Sequence, residues 1–395
     1  MADNLFFSRD TRVIVSDGTK AWEIPVLDGF SFSQATNTSE ITLNEMEGAG
    51  GSRRGRRMFN DSYAPAEWSF STYVRPFKGG PVGAWTATDW DGGSAGANVH
   101  AVEEALWAAF VGKGVFTHGS ASTNSSWDDN ITNAATMMTV DFLGSNTSSL
   151  ATLDIYFVMG QGTFVEATHT IYKLEDGVVN SAGIDFDLDG IATINWAGFA
   201  SKIIEIQTLP THALPAAAIK EGTQATNNFI RNRLSTLVVA TGVTGVTSDG
   251  SDDGLEASYA LTLTGGSLNF ENNITFLTPE TLGVINVPIG HVTGTRNIGG
   301  SFTCYLSNST GAGADLWEDL IEADKTLTNS FSLTFSIGGT SGSHVIVTLP
   351  TCHLEIPTHS IEDVISLETT FHALPSTINS ADEATIVYKG PVTGL

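Results

Sequence analysis

The sequence predicts a mainly β protein made of two tandem, related β-sheet modules, each with one short α-helix packed against its sheet. Three observations predict this. Period-two alternation of apolar and polar residues recurs along the chain, helical periodicity occurs only twice, and five short motifs recur in the same order in both halves. A chain of 395 residues is long enough for two domains of ordinary size. We therefore assign residues 1–220 to a first module and residues 221–395 to a second.

The repeated motifs define the correspondence between the halves. Each match is short, so the correspondence between the halves rests on the common order of the five matches. The matched pairs are Asn4–Arg9 with Asn228–Arg233, Gly29–Phe32 with Gly266–Phe270, Trp68–Tyr73 with Gly300–Tyr305, Leu106–Phe110 with Leu316–Leu320, and Phe157–Gly160 with Phe335–Gly338. The spacing between matches differs between the halves, and such length changes belong in surface loops, where insertions cost little closure entropy.

The alternating segments predict the strands, and two apolar stripes predict the helices. Val99, Val102, Leu106, Ala109 and Phe110 are spaced to share one helix face. A shorter stripe follows a possible cap at Asp315 and consists of Leu316, Trp317, Leu320 and Ile321. The predicted strands are Arg12–Val15, Phe30–Phe32, Trp68–Val74, Thr152–Val158, Gly183–Ile194, Leu234–Val239, Ser330–Ile337 and His344–Leu349.

The charge of the chain limits its partners. The formal net charge is −25, so the protein as a whole repels nucleic acid. Only 15% of the residues are charged, which leaves a surface rich in Ser, Thr, Asn and Gly, as is typical of β-rich proteins with extensive contacts between subunits. We find no apolar run of about 20 residues and no secretory h-region, so we expect no membrane anchor and no signal peptide.

The sequence patterns that resemble catalytic or metal-binding motifs each lack a residue, a spacing or a sequence context that the motif requires. Asp185, Asp187 and Asp189 begin like a calcium loop, but the twelfth position is Trp196 and not a glutamate. We interpret this segment as a half-buried strand with one acidic face. Gly92–Gly96 matches a nucleophile elbow within a loop sequence, and the histidines lack metal-ligand spacing. We expect no catalytic residue, no metal, no cofactor and no enzymatic activity.

The two cysteines, Cys304 and Cys352, both lie in the second half. Two half-buried free thiols in a cytosolic chain are the favoured interpretation, and a disulfide between them stays open.

One cationic cluster stands out in this acidic chain. Arg53, Arg54, Arg56 and Arg57 lie within the Gly-rich loop 47–60. One interpretation is a solvated, mobile loop. The other is a loop that folds against an acidic surface on another copy of the same protein.

The residues around this loop resemble those of the tail tube proteins of long-tailed bacteriophages. The resemblance rests on Phe30–Phe32, on Ile41–Glu45 with the basic loop after it, and on the segments Phe59–Asp61 and Pro65–Tyr73. It also rests on Phe186–Phe199 and Asn228–Ser235. It covers most of residues 1–240, and the remainder resembles the family only as a diverged copy. The chain departs from the usual pattern by carrying two modules.

This resemblance implies tail-tube-type β-sandwich or barrel modules that polymerise as stacked rings. With two modules per chain, three chains would supply the six positions of a ring, a trimer with pseudo-sixfold symmetry. The loop that carries Arg53, Arg54, Arg56 and Arg57 would be the stacking element, and its counterpart in the second half, residues 278–297, carries only Arg296. The lumen would be acidic and let DNA pass without specific binding. Its candidate acids are Asp185, Asp187, Asp189, Glu362 and Asp363.

The same resemblance implies the partners: further copies of the chain, a tape-measure protein, a tail terminator and baseplate proteins. The location would be the virion tail after assembly in the host cytoplasm. Two alternatives stay open at this point. One is a tail-end adaptor or baseplate protein of the same fold. The other is a secreted carbohydrate-binding β-sandwich protein that uses Trp85, Trp90 and Trp127 to stack on sugars.

Overall fold

The structure is a computed structural model, and the fold it shows is almost wholly antiparallel β. It describes residues 5–41, 56–79, 98–112, 116–117, 126–127, 130–142, 150–160, 162–220, 229–241, 256–279, 282, 285–322, 331–339, 342–361, 363–378 and 380–390.

The first half contains fourteen described strands and one described α-helix. They are β1 (Arg12–Ser16), β2 (Ala21–Ile24), β3 (Ser31–Ile41), β4 (Arg57–Tyr73), β5 (Pro76–Gly79), β6 (Asn98–Ala101), α1 (Glu104–Val111), β7 (Phe116–Thr117), β8 (Ser126–Trp127), β9 (Ile131–Asn133), β10 (Met137–Asp141), β11 (Leu153–Met159), β12 (Thr170–Phe186), β13 (Thr193–Ala200) and β14 (Lys202–Ile206).

The second half contains eleven described strands and one described α-helix. They are β15 (Thr236–Thr241), β16 (Ser258–Leu261), β17 (Leu263–Glu271), β18 (Thr275–Leu277), β19 (Gly290–Val292), β20 (Asn297–Tyr305), α2 (Gly313–Glu322), β21 (Phe331–Ile337), β22 (His344–Leu354), β23 (Thr358–Ile361), β24 (Ile365–Ala373) and β25 (Thr385–Lys389).

Each half has two layers that share one long strand. In the first half one layer runs β2–β1–β11–β12–β14 and the other runs β3–β4–β13–β12. In the second half the layers run β16–β15–β21–β22–β25 and β17–β20–β24–β22. The order of strand pairing in the second half therefore repeats that of the first, and it follows the order of the repeated motifs.

Two pairings between the strands named above join the halves. The C-terminal part of β12 pairs with β17, with Ser181 opposite Glu271 and Phe186 opposite Gly266. This joint produces one continuous sheet in the order β3–β4–β13–β12–β17–β20–β24–β23. On the other layer, β10 of the first half pairs with β25 of the second, and β9 extends it.

One hydrophobic core runs through both halves beneath the continuous sheet. The alternate, inward-facing residues of its strands are large and apolar, among them Phe70, Trp196, Phe270 and Phe302. Burial of each such side chain stabilises the fold by roughly 1.5–3 kcal/mol. Because a strand with period two buries only alternate side chains, the opposite face of the sheet is left to solvent.

The structure corrects two sequence predictions of helix and strand. The predicted helical stripe from Val99 to Phe110 is wrong at its start, because Asn98–Ala101 is strand β6 and pairs with β5. The helix begins at Glu104, and all of its side chains are buried rather than one face. The predicted strand Gly183–Ile194 is also wrong, because β12 ends at Phe186 and a turn with Gly190 at φ +118° precedes β13.

Candidate functional site

The exposed face of the continuous sheet is an organised polar surface, and we call it the polar face. Residues that lie opposite one another in neighbouring strands form rows across this face. One row consists of Ser31, Ser69, Ala197, Ser181 and Glu271. The next rows are Ser71, Asn195, Gly183, Asn269, Gly299 and His372, and then Asp185, Ser267, Ser301 and Thr370.

Hydrogen bonds connect neighbouring side chains across this face. Ser71 Oγ donates to Asn195 Oδ1 at 2.7 Å, and Asn195 Nδ2 donates to Asp185 Oδ2 at 3.3 Å. The hydroxyls of Ser31 and Ser69 lie 2.8 Å apart. Short hydroxyl and amide side chains that satisfy one another lie close to the sheet and leave a smooth, hydrated surface.

The charges on the polar face have one sign. On this face we count β3 as far as Gln34, β4 from Ala66 and β12 from Ser181. The described positions that share the face then include four acids and neither lysine nor arginine. The acids are Glu67, Asp185, Glu271 and Glu368. The face therefore carries a field that repels anions.

A long hairpin extends from the same sheet. Ser31–Gln34 pair with Ala66–Ser69 inside the sheet, and the same two strands continue to Ile41 and Arg57. Apolar side chains are exposed near its end, with Ile41 46%, Met58 56% and Phe59 49% accessible. Exposed apolar side chains close to cations indicate a surface that another protein covers.

The second half carries a different projection at the corresponding place between β17 and β20. Strands β18 and β19 form a short arm, and Leu277, Ile285 and Ile289 are exposed on it. The arm lies beside the first hairpin, since the Tyr63 amide donates to the Asn286 carbonyl at 2.9 Å. Both projections therefore lie on one side of the sheet.

Comparison with known proteins agrees with the resemblance found in the sequence. No protein-family model matches the chain. The chain is similar to the tail tube protein pb6 of Escherichia phage T5, with 28% identity over 399 residues that cover 98% of this chain and 76% of the relative. The chain is therefore similar to a phage tail tube protein along almost its whole length. It is a structural protein of the virion tail, as the sequence resemblance predicted, and the adaptor and carbohydrate-binding alternatives are not favoured.

The structure separates the candidate acids of this tail tube protein. Asp185 lies on the polar face, whereas Asp187 and Asp189 lie in the turn after β12. Asp189 is exposed and forms an ion pair with Arg233 at 3.5 Å. Asp363 is exposed in the bend between β23 and β24, and Glu362 lies outside the described residues. The sequence did not single out Glu67, Glu271 or Glu368, because only strand register shows which face each acid shares.

The predicted stacking arginines are described only in part. Arg56 is exposed beside Glu40 of the same hairpin, with 3.6 Å between Nη1 and Oε2, and Arg57 begins β4 opposite Ile41. The predicted loop 47–60 is therefore wrong at its end, since residues 57–60 are strand. Arg53 and Arg54 lie outside the described residues. In the second half, Arg296 forms a largely buried ion pair with Glu383 at 2.6 Å, so it is held within the chain.

A buried polar cluster around α1 was missed by sequence reasoning. The Tyr388 hydroxyl donates to Glu103 Oε1 at 2.7 Å and accepts a bond of 2.7 Å from the Trp107 indole. Beside it, His100 Nδ1 lies 3.0 Å from Glu104 Oε2, and the Trp127 indole donates to Glu104 Oε1 at 3.1 Å. The available signal was the pair of acids directly before an apolar helix.

Burial changes the proton affinity of this cluster. Loss of solvation raises the pKa of Glu103 to about 7, although the bond from Tyr388 and the nearby Arg75 charge oppose the shift. Burial, together with the Glu103 carboxylate, raises the pKa of Tyr388 well above its ordinary value. The cluster therefore connects the first helix to strand β25 of the other half through groups whose charge depends on pH.

Within the described ranges there is no grouping of three or more His, Cys, Asp or Glu side chains that could hold a metal ion. Cys304 and Cys352 are free and buried, more so than the half-buried thiols expected. Among the described helices, none is both long and apolar enough to cross a membrane.

Proposed function

We propose that this tail tube protein works as a trimeric ring that stacks into a hollow tube, with the polar face toward the lumen. Each chain contributes two modules, residues 1–220 and 221–395, so three chains fill six pseudo-equivalent positions. The repeated order of strand pairing in the two halves supports this proposal. A symmetric ring made from duplicated modules needs half as many chains as one made from single modules.

The polar face suits a DNA conduit. A lumen that binds DNA would hold it in place. Carboxylates without lysine or arginine beside them repel the phosphates instead. Hydrated hydroxyls place no hydrogen-bond donors at fixed positions from which they could recognise base sequence. Asp185 contributes to this wall together with Glu67, Glu271 and Glu368. Asp187, Asp189, Glu362 and Asp363 follow the ends of the strands and act at the rim. The protein therefore guides DNA without specific binding and without a catalytic step.

The hairpin with Arg53, Arg54, Arg56 and Arg57 forms the contact between rings. The basic tip meets an acidic surface of the next ring, and the exposed Ile41, Met58 and Phe59 add apolar contact. The β18–β19 arm of the second half supplies a mainly apolar contact, because Arg296 is occupied by Glu383. The two kinds of stacking contact are therefore not equivalent. At the ends of the tube, the tape-measure protein, the tail terminator and baseplate proteins meet the same surfaces.

The polar face between two projections is the observation that carries this function. The test is electron microscopy of the purified protein at high concentration. Hollow tubes whose rings contain three chains are expected. Closed single rings that never stack, or monomers at every concentration, would contradict the proposal.

A further inference from the structure

The segments that lead into β1 and into β15 are counterparts. Each contains a short 3₁₀ helix, Ser8–Asp10 in the first half and Asn232–Leu234 in the second. The same two backbone hydrogen bonds hold each helix, from Asp10 to Phe7 and from Thr11 to Ser8, and from Leu234 to Arg231 and from Ser235 to Asn232. Leu5 therefore corresponds to Phe229.

Inside the chain, the second of these segments packs on the first half at the end of β4. The Phe229 ring packs edge-on against Tyr73, with 5.3 Å between ring centroids, and the Arg75 guanidinium lies 5.2 Å from its centre. Ile230 is buried, and its carbonyl accepts a hydrogen bond of 2.8 Å from the Ala192 amide. The segment thus covers an apolar site formed by the end of β4 and the turn before β13.

The second half contains the counterpart of this site. Strand β20 ends at Tyr305, the counterpart of the tyrosine that ends β4. The residue after each tyrosine donates its amide across the sheet, Val74 to the Ala192 carbonyl at 2.9 Å and Leu306 to the Ile365 carbonyl at 3.0 Å. Ile365 therefore corresponds to Ala192, and the turn between β23 and β24 corresponds to the turn between β12 and β13.

This counterpart site is apolar and exposed. Tyr305, Val364 and Ile365 are all exposed, Val364 to 58%, whereas Ala192 in the first half is wholly buried. Tyr305 and Val364, together with Asp363, line an open hollow of about 510 Å³. Exposed apolar side chains around a hollow indicate a surface that another protein segment covers.

The N-terminal segment exposes the apolar side chains that such a site requires. Leu5 is 67% accessible and Phe6 is 47% accessible, although Ile230, the counterpart of Phe6, is buried. In its own chain this segment lies beside the start of β3, since the Ser8 hydroxyl donates to Asp28 at 3.3 Å. Strand β3 and strand β23 are at opposite edges of the continuous sheet. The two exposed apolar surfaces therefore lie apart within one chain.

The charges at the two surfaces are complementary. Inside the chain, Arg233 forms an ion pair of 3.5 Å with Asp189 in the turn after β12. Arg9 is the counterpart of Arg233, and Asp363 is an exposed acid in the corresponding turn of the second half. An exposed ion pair adds little affinity, and it favours the correct orientation of the two surfaces.

Resting on the ring in the proposed function, we propose that the N-terminal segment of one chain docks on the turn between β23 and β24 of its neighbour. Leu5 packs against Tyr305. Phe6 covers Ile365 and becomes buried, as its counterpart in the second half is. Each ring therefore contains three copies of this contact between chains and three copies of its counterpart within chains.

The side chains on the two sides of each contact match one another. Within the chain, the aromatic Phe229 meets the guanidinium of Arg75. At the corresponding positions of the contact between chains, the aliphatic Leu5 meets Ser307, and no cation lies over it. A cation–aromatic interaction stabilises only the first of these contacts. The contact between chains is therefore the weaker one, and it opens before its counterpart within the chain.

Paired cysteines in assembled tubes test the docked position. Inside the chain, Arg231 pairs with Ile191 in an isolated antiparallel β-bridge. Their counterparts are Phe7 and Val364. In the double variant F7C/V364C, the two Cα atoms are expected to lie about 4.5–5.5 Å apart between chains, a distance that a disulfide spans. The matched control is F7C/V238C, which places the second cysteine at another exposed valine, on β15 in the other layer.

After mild oxidation, denaturing gels without reductant are expected to show a ladder that ends at three chains for F7C/V364C, and monomers for the control. Cys304 and Cys352 are buried and do not compete. Monomers from F7C/V364C in tubes that microscopy shows intact, or equal cross-linking of the control, would overturn the docking and leave the tube itself standing. If wild-type protein forms no tubes, the proposed function fails instead. The adjacent pair S8C/D363C predicts the same ladder and serves if F7C/V364C does not fold.

Removal of the apolar side chains tests the contribution of this contact to assembly. The variant L5S/F6S is expected to fold like wild type by circular dichroism, because both side chains are exposed in the single chain. It is expected to need about tenfold more protein to form tubes, because the burial of these side chains favours association. V238S is the control and should polymerise as wild type does. Unchanged polymerisation of L5S/F6S would contradict the docking.

Discussion

Tyr388 donates a 2.7 Å hydrogen bond to Glu103, a residue 285 positions earlier in the chain. Both side chains are fully buried, and Trp107 completes the group by donating to the tyrosine oxygen. This contact connects the helix of the first half to strand β25 of the second. The two halves are thus held together by a polar cluster as well as by the joined sheet.

Replacement of Glu103 by glutamine is expected to stabilise the protein at high pH and to have little effect near pH 5. Burial raises the pKa of Glu103 to about 7 from an ordinary value of 4.5. The folded state keeps the proton that the unfolded chain releases, so this group's contribution to stability falls as pH rises from about 4.5 to about 7. The full difference is about 3 kcal/mol.

The measurement is the denaturant midpoint of wild type and Glu103→Gln at several pH values. Glutamine keeps an oxygen that accepts from Tyr388 and cannot carry the buried charge. A difference between the two proteins that grows from pH 5 to pH 8 is expected. A difference independent of pH would show that folding does not raise the pKa of Glu103.

Replacement of Tyr388 by phenylalanine is expected to cost about 1–3 kcal/mol, because Trp107 and Glu103 then lose a partner in a buried site. Tyr305→Phe is the matched control, since Tyr305 is 42% exposed. A surface substitution of this kind changes stability by less than about 0.5 kcal/mol. Thermal unfolding of both variants at pH 7 measures the difference, and equal losses would argue against a role for the buried hydroxyl.

Charge reversal on the polar face tests the lumen assignment. Tubes with Asp185→Lys and Glu271→Lys are expected to assemble. Phage particles that carry these tubes are expected to eject DNA more slowly, because the new cations attract phosphates. Added salt should restore the rate, since it screens this attraction. Glu205→Lys, at an exposed position on β14 in the other layer, is the control. Equal rates of DNA ejection for the variant and the control would contradict the assignment of the polar face to the lumen.

Substitution of Arg53, Arg54, Arg56 and Arg57 by serine is expected to give folded, soluble protein that forms no tubes. Circular dichroism checks the fold, and microscopy at high concentration checks polymerisation. Two exposed cations elsewhere, Lys202 and Arg233, are substituted together as the control and should leave tubes unchanged. Normal tubes from the serine variant would refute the stacking assignment.

The two native cysteines are expected to resist thiol reagents until the protein unfolds. Burial raises the pKa of Cys304 to about 11 and that of Cys352 to about 12, so little reactive thiolate is present at pH 8. Reaction with a maleimide before and after denaturant measures this. Rapid labelling of the folded protein would show that the core around β20 and β22 opens readily.

The sequence patterns predicted the strands in which apolar and polar residues alternate regularly. They missed features that depend on partner strands distant in the sequence. Phe157 and Phe335, which the repeated motifs matched, both lie in strands, β11 and β21, and both are buried. The extent of α1 was missed, since Asn98–Ala101 has helical spacing and takes its strand conformation from β5. Propensity within one segment does not include such a partner.

The acidic character of the candidate site was predictable from the sequence, but the positions of its acids were not. The acidic character of Asp185, Asp187 and Asp189 was visible in the sequence, but the end of β12 at Phe186 places only the first of them on the polar face. Which acids share that face follows from the register of strands more than a hundred residues apart. The β12–β17 joint has no local signal in either strand, because any two edges of compatible length can pair.

Cryo-electron microscopy of assembled tubes, at a resolution that traces β-strands, tests the central claim most directly. The expected map shows three chains in each ring and the row of Ser31, Ser69, Asn195 and Asp185 facing inward. A ring of six chains, or a lumen lined by the β1–β2 layer instead, would contradict it.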